Sequence, residues 1–186
     1  MQKIVSLFQR NYEGDRLVRD ELVPGAEWVA AGEGVATVKI DGTCCMVRDG
    51  VLFKRYDAKR GKQPPDGFEA AQEAPDPVTG HWPGWLAVDP ANPADRWHCE
   101  AVAPDSPANC GLLDGTYELI GPKVQGNLYG LERHQLVRHG AEVLPDAPRD
   151  FAGLRAYLEG RTIEGIVWHH PDGRMVKIKR KDFFKK

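Results

Sequence analysis

The 186-residue sequence predicts an α+β fold dominated by antiparallel sheet. Three observations carry this. Alternating, β-branched runs at 35–40, 44–48 and 51–56 are separated by Asp41-Gly42 and Asp49-Gly50, and Asp-Gly between such runs is a strong turn signal. One helix is clearly written at 150–159: Asp150 can cap it, Phe151, Leu154 and Leu158 share a face, and Gly160 ends it. Two late strands, 162–169 and 174–180, are joined by Pro171-Asp172-Gly173.

Taken in order, residues 1–34 mix short apolar pieces with charge, and Glu27-Trp28-Val29 reads as a short strand leading into Gly32-Glu33-Gly34. The next three runs read as a three-stranded antiparallel meander. In the first of them, alternation places Val35, Thr37 and Lys39 on one face and Ala36, Val38 and Ile40 on the other. Residues 57–95 differ in kind. Pro64, Pro65, Pro75, Pro77, Pro83, Pro90 and Pro93 oppose regular pairing, so a long surface excursion is expected, pinned by Trp82 and Trp85. Strand signals resume at 96–102, 115–121 and 134–138. No internal repeat occurs, and the length suits a single domain over 1–186.

Hydrophobic and charged contents of 41% and 28% are those of an ordinary soluble globular protein. The net charge of −2 conceals an asymmetry, because the last ten residues hold six basic groups and one acidic group. That pattern suggests a local anionic contact and argues against general polyanion binding. The cysteines at 44, 45, 99 and 110 match no zinc spacing and read as free thiols, with Cys44 and Cys45 on opposite faces of a strand. Neither a signal peptide nor a long apolar span is visible, so no membrane is expected and a cytoplasmic location is.

The chemistry begins at Lys39, inside the apolar run Val35-Ala36-Thr37-Val38-Lys39-Ile40. A lysine there either snorkels at a strand end or is held in a pocket for its amine. Glu118, Glu164, Lys177 and Lys179 likewise alternate with large apolar neighbours, so one strand face is core and the other presents charge. Singly, each suits a solvated sheet charge as well as a site.

Together and in order, they resemble a known set. Lys39-Ile40-Asp41-Gly42 is similar to motif I (K-x-D-G) of the covalent nucleotidyltransferases, the superfamily of ligases and capping enzymes. Tyr117-Glu118-Leu119-Ile120-Gly121 resembles motif III, Glu164-Gly165-Ile166-Val167 motif IV, and Lys177-Ile178-Lys179 motif V. The longer strings 39–45, 121–127 and 163–169 resemble the animal 5′-3′ RNA ligase family and its short bacterial relatives.

That resemblance implies an antiparallel-sheet adenylyltransferase domain of the ATP-grasp-like ligase type. No appended OB domain is expected, since the sequence stops seven residues after Lys179. It implies an ATP-dependent RNA ligase joining 5′-phosphate and 3′-hydroxyl RNA ends through a lysyl-AMP, with Mg²⁺ or Mn²⁺ as metal. Lys39 is then the nucleophile, and its amine must be neutral to attack, whereas an ordinary lysine is protonated at neutral pH. Lys177 and Lys179 would neutralise the α-phosphate. Glu118 would hold the ribose hydroxyls or a metal-bound water, and Glu164 would position the metal. Ile166 would lie under the adenine, Val38, Asp41 and Gly42 would shape the nucleotide site beside Lys39, and Arg55 would meet a nucleic-acid phosphate. The Lys59–Lys62 cluster and the basic C-terminal stripe could track RNA. A DNA ligase, a GTP-using capping enzyme and a non-catalytic nucleic-acid-binding module stay open as alternatives. Cys44, where DNA ligases of the K-x-D-G-x-R type carry arginine, counts against the first.

Overall fold

The computed structural model describes residues 4–102 and 111–184. In chain order the elements are β1 (Val5–Ser6), β2 (Phe8–Arg10), β3 (Val18–Leu22), α1 (Glu27–Ala30), β4 (Val35–Lys39), β5 (Thr43–Arg48), β6 (Val51–Ala58), β7 (Glu69–Ala70), β8 (Trp82–Ala87), α2 (Arg96–Glu100), β9 (Gly115–Ile120), β10 (Gln135–Arg138), α3 (Phe151–Glu159), β11 (Gly165–His169), β12 (Met175–Lys179) and α4 (Arg180–Phe183). The content is mixed α and β with antiparallel sheets. The described residues divide into two compact units, one of residues 4–40 and 140–184, the other of Asp41–His139.

The first unit is built on a four-stranded sheet in the order β1-β12-β11-β4. β11 pairs antiparallel with both β12 and β4, and β1 runs parallel to β12. One sheet face is apolar. Ala36, Ile166, Trp168, Val176 and Ile178 pack there against Leu154 and Leu158 of α3, with Trp28, Val29, Phe8 and Phe183 completing the core. Helix α3 follows its sequence signals, since the Asp150 carboxylate accepts from the Gly153 N–H at 2.8 Å and Gly160 stands at the C-cap. The hairpin from β11 to β12 closes as the Pro171-Asp172-Gly173 signal predicts.

The second unit holds a six-stranded antiparallel sheet in the order β10-β9-β5-β6-β8-β7. Its core is Cys45, Val47, Leu52, Val88, Val102, Tyr117 and Leu119.

Four local expectations need correction. The meander fails at its first strand: β4 pairs with β11, while β5 lies between β6 and β9. Asp41-Gly42 is therefore a connection and not a hairpin turn. Gly42 is required there by proximity, because a Cβ would stand 2.2 Å from the Leu119 carbonyl oxygen. Residues 27–29 lie in helix α1, where adjacent Trp28 and Val29 are both buried, which strand alternation would not allow. Residues 96–100 are helix α2, preceded by a 3₁₀ turn at Pro93–Asp95 whose start is capped by the Asn92 side chain accepting from Ala94 N. The β-like composition of Trp97, Cys99 and Val102 hid that start signal.

The fourth correction concerns the proline-rich stretch, which includes a regular strand. Pro83 in β8 is in register with Asp57 of β6. Its carbonyl accepts from Ala71 N on the β7 side. In an antiparallel ladder a residue's N–H and C=O point the same way, so the missing N–H takes nothing from the β6 ladder. Trp85 is buried, and Trp82 donates to the Gln72 carbonyl at 2.9 Å, so both tryptophans fix this stretch.

Candidate functional site

Register decides which residues share a face. Lys39 is opposite Gly165, which is in turn opposite Lys179, while Thr37 is opposite Val167, which is in turn opposite Lys177. Residues in register point to the same side of a sheet, and alternate residues share it. Lys39, Thr37, Val167, Lys177 and Lys179 therefore lie on one face, opposite the core of Ile166, Ile178 and Trp168.

On this face Glu164, the residue before β11, is held between two lysines. Lys39 Nζ donates to Glu164 Oε2 at 2.5 Å, and Lys179 Nζ lies 2.5 Å from Oε1. The glutamate reaches both because Gly165 lets the strands close up, and a Cβ on Gly165 would stand 2.1 Å from the Ile178 carbonyl oxygen. Burial would raise the Glu164 pKa, but the hydrogen bonds and charges of Lys179 and Lys39 outweigh it and hold the carboxyl below its ordinary value. Lys177 has no ion pair among the described residues. Burial first, then the charges of Lys179 and Lys39, push its pKa down to about 8. Three lysines around one carboxylate make a concentration of positive charge that an anion would relieve.

The second unit gathers another set. Glu118 of β9 accepts from Gly42 N at 3.1 Å and sits 2.7 Å from His139 Nε2. Asp41 N donates to the Tyr129 hydroxyl at 2.8 Å, and Gln125 Nε2 donates to the Gly42 carbonyl. The donor atoms of Cys44, Glu118 and His139 all lie within 4.8 Å of one another. Cys44 is thus on the side of Glu118, its cross-strand partner, while Cys45 is fully buried and its thiol pKa is raised by that burial. None of the described cysteines forms a disulfide, and Cys110 lies outside the described residues.

The sequence-predicted residues therefore fall into groups. Lys39, Glu164, Lys177 and Lys179 come together on one sheet face, and Asp41, Gly42 and Glu118 come together in the other unit. Arg55 on β6 keeps separate company, donating to Asp57 at 3.1 Å and lying over the Trp85 ring. Val38 and Ile166 are cross-strand partners on the core side, and Ile166 is fully buried among apolar side chains. A place under a base is not open to Ile166. Counting alternation from Glu164, which precedes the strand, put Ile166 on the charged face; register puts Val167 there instead. His139 and Tyr129 were missed because nothing in their local sequence marks them, and only pairing across the sheet brings His139 to Glu118.

Among the described residues no helix is long and apolar enough to cross a membrane. The profile of a family described as RNA ligase 1 matches residues 108–184. Proteins named RNA ligase 1 from Danio rerio and Rattus norvegicus are each 31% identical over 214 aligned residues, covering 78% of this chain and 66% of theirs. The same-named protein of Pongo abelii is 30% identical with the same coverage. The chain thus spans about two thirds of the length of these relatives. The matched residues include Glu118, Glu164, Lys177 and Lys179, the charged positions that the sheets bring to the two groups above. The chain belongs to the RNA ligase 1 family.

Proposed function

We propose that this protein is an ATP-dependent RNA ligase that works through a covalent lysyl-AMP on Lys39. The observation that carries the reading is the charged sheet face, where Lys39 and Lys179 grip one carboxylate while Lys177 stands beside them, desolvated and without an ion pair among the described residues. A purely structural sheet has no use for three lysines on one part-buried face. Membership of a family whose relatives are named RNA ligases supports the choice of acceptor.

In the first step the neutral Lys39 amine attacks the α-phosphorus of ATP. An N–P bond forms, the bond from phosphorus to the bridging oxygen breaks, and pyrophosphate leaves with the electron pair. The amine proton is lost to solvent. Glu164 stays ionised at neutral pH because its pKa is lowered, so it holds and aims Nζ rather than acting as a base. Lys177 and Lys179 meet the charge that grows on the phosphoryl oxygens, where phosphoryl-transfer catalysis is mostly done. AMP then passes to an RNA 5′-phosphate, and a 3′-hydroxyl displaces it to form the phosphodiester.

The divalent ion that such chemistry implies would be held by Glu164; Glu118, in the other unit, is a separate candidate carboxylate. Glu164 offers only oxygen donors, which suits Mg²⁺ or Mn²⁺, whereas the thiol and imidazole beside Glu118 make a softer set. When bound, the ion supplies neutralisation of phosphate charge. Glu118 is also assigned the ribose hydroxyls, Asp41 and Gly42 the turn that follows the nucleophile, and Arg55 a phosphate of the RNA. Val167, rather than Ile166, is the apolar residue of β11 on the lysine face, and it too is buried.

The test is incubation with α-labelled ATP and a divalent ion, followed by a denaturing gel. Label that survives denaturation and vanishes in Lys39→Ala is the expected result. A folded protein that takes no label, or a Lys39→Arg variant that still takes it, refutes the mechanism.

A further inference from the structure

The charged face does not stop at β12. Ser6 of β1 is in register with Lys177, so its side chain points to the same side as the three lysines. Past it a cavity of about 920 Å³ opens, lined by Ser6, Arg10, Arg16, Lys177, Lys179 and Lys181. Two carboxylates, Asp15 and Asp182, also line it, so five basic groups face two acidic ones. Both acids are engaged: Asp15 pairs with Arg19 at 2.9 Å, and Asp182 pairs with Arg10 and accepts from Lys179 N. Arg16, Lys177 and Lys181 have no ion pair among the described residues.

The Ser6 hydroxyl is the second observation. Its Oγ is buried and finds no hydrogen-bond partner among the described residues, although it lines a polar cavity. A buried hydroxyl without a partner is a cost that a ligand acceptor would remove. Lys177, its cross-strand neighbour, is in the same position electrostatically, pushed down to about 8 by burial and by its lysine neighbours.

Direction identifies the ligand. An in-line displacement places the attacking nitrogen and the leaving oxygen on opposite sides of phosphorus. From Lys39 on β4, the order β4-β11-β12-β1 leads over Lys179 and Lys177 to Ser6, three strand spacings of about 4.8 Å each. An α-phosphate near the β12 lysines would eject its leaving group towards that cavity. We infer that the cavity lined by Ser6, Arg16, Lys177 and Lys181 is a pyrophosphate subsite, taking the β- and γ-phosphates of the nucleotide. This rests on the nucleotidyl-transfer reading above. An RNA backbone phosphate offers the same oxygen chemistry and is the competing source.

The probe is inorganic pyrophosphate, titrated calorimetrically into the full chain at constant ionic strength, with AMP as the control ligand. The variants are Lys181→Ala and Arg16→Asn. Asparagine is chosen because Arg16 has φ +61°, a conformation asparagine tolerates. The double variant is expected to bind pyrophosphate at least tenfold more weakly and AMP within twofold of the parent. Its KM for ATP in self-adenylylation should rise in parallel. Unchanged pyrophosphate affinity overturns the assignment, as does a loss confined to 5′-phosphorylated RNA, which would give the cavity to nucleic acid. If pyrophosphate binding falls in the variants but the parent takes no label from ATP, the anion site stands and the ligase mechanism is what fails.

Discussion

Glu164→Gln removes the carboxylate that pairs with Lys39 and Lys179 while keeping the side chain's shape. The carboxylate is 10% exposed, and its partners Lys39 and Lys179 are 19% and 22% exposed. Breaking a fully buried pair costs roughly 3–5 kcal/mol, and an exposed pair contributes under about 1. The observed exposures fall between, so a loss of about 2 kcal/mol is expected near neutral pH and low salt. Part of it is repulsion among lysines that have lost their counter-charge, so added salt should reduce the loss. The acid limb gives an independent check. Glu164's folded pKa is below its ordinary value of 4.5, so its stabilisation is full above that pH and is lost as pH falls through the folded value. The glutamine variant should lack this part of the acid dependence. Urea unfolding of parent and variant across pH and salt measures both effects. A loss below about 0.5 kcal/mol at low salt, the scale of an ordinary surface change, would refute the claim that Glu164 organises this face.

Gly42→Ala should lower the thermal midpoint by several degrees, because its Cβ would stand 2.2 Å from the Leu119 carbonyl, which is backbone and cannot swing aside. Lys177 titrates at about 8 without ligand, and a bound phosphate would favour its charged form. Pyrophosphate affinity should therefore be highest below that pH and fall above it, by at most about tenfold per unit for a single proton. A calorimetric titration series flat from pH 7 to about 9.5 would dissociate Lys177 from anion binding.

How much of this was legible in the sequence differs by element. Alternation alone placed Lys39 opposite Ala36 and Val38 in face, and placed Lys177 and Lys179 together around buried Ile178; the register bears out both. Asp150 and Gly160 marked α3 correctly because capping is local chemistry. What failed were inferences about partners. Asp41-Gly42 has hairpin composition, but its glycine answers a close approach by β9, a neighbour far away in sequence. Ile166 was misplaced because its face was counted from Glu164, which lies before the strand, and an offset of one residue is enough to exchange core and surface. Ser6 and Arg16 carry no local signal. They matter only through the parallel pairing of β1 with β12 and the cavity beyond it.

The K-x-K and E-G patterns follow from what a sheet must do here. Residues two apart on a strand are separated by about 6.6–6.8 Å, which sets the two β12 ammonium groups side by side on one face. Ile178 between them is wholly buried, and so is its cross-strand partner Ile166, so each charged position is anchored by a core position next to it. Like charges would otherwise drive Lys39, Lys177 and Lys179 apart. The core on the opposite face holds their strands, and Glu164 bridges two of the three. The third is left without an ion pair among the described residues, on the side that opens towards Ser6 and the basic cavity. The unbalanced lysine and the unpartnered hydroxyl therefore stand at one place in the sheet, where an incoming phosphate chain satisfies both at once.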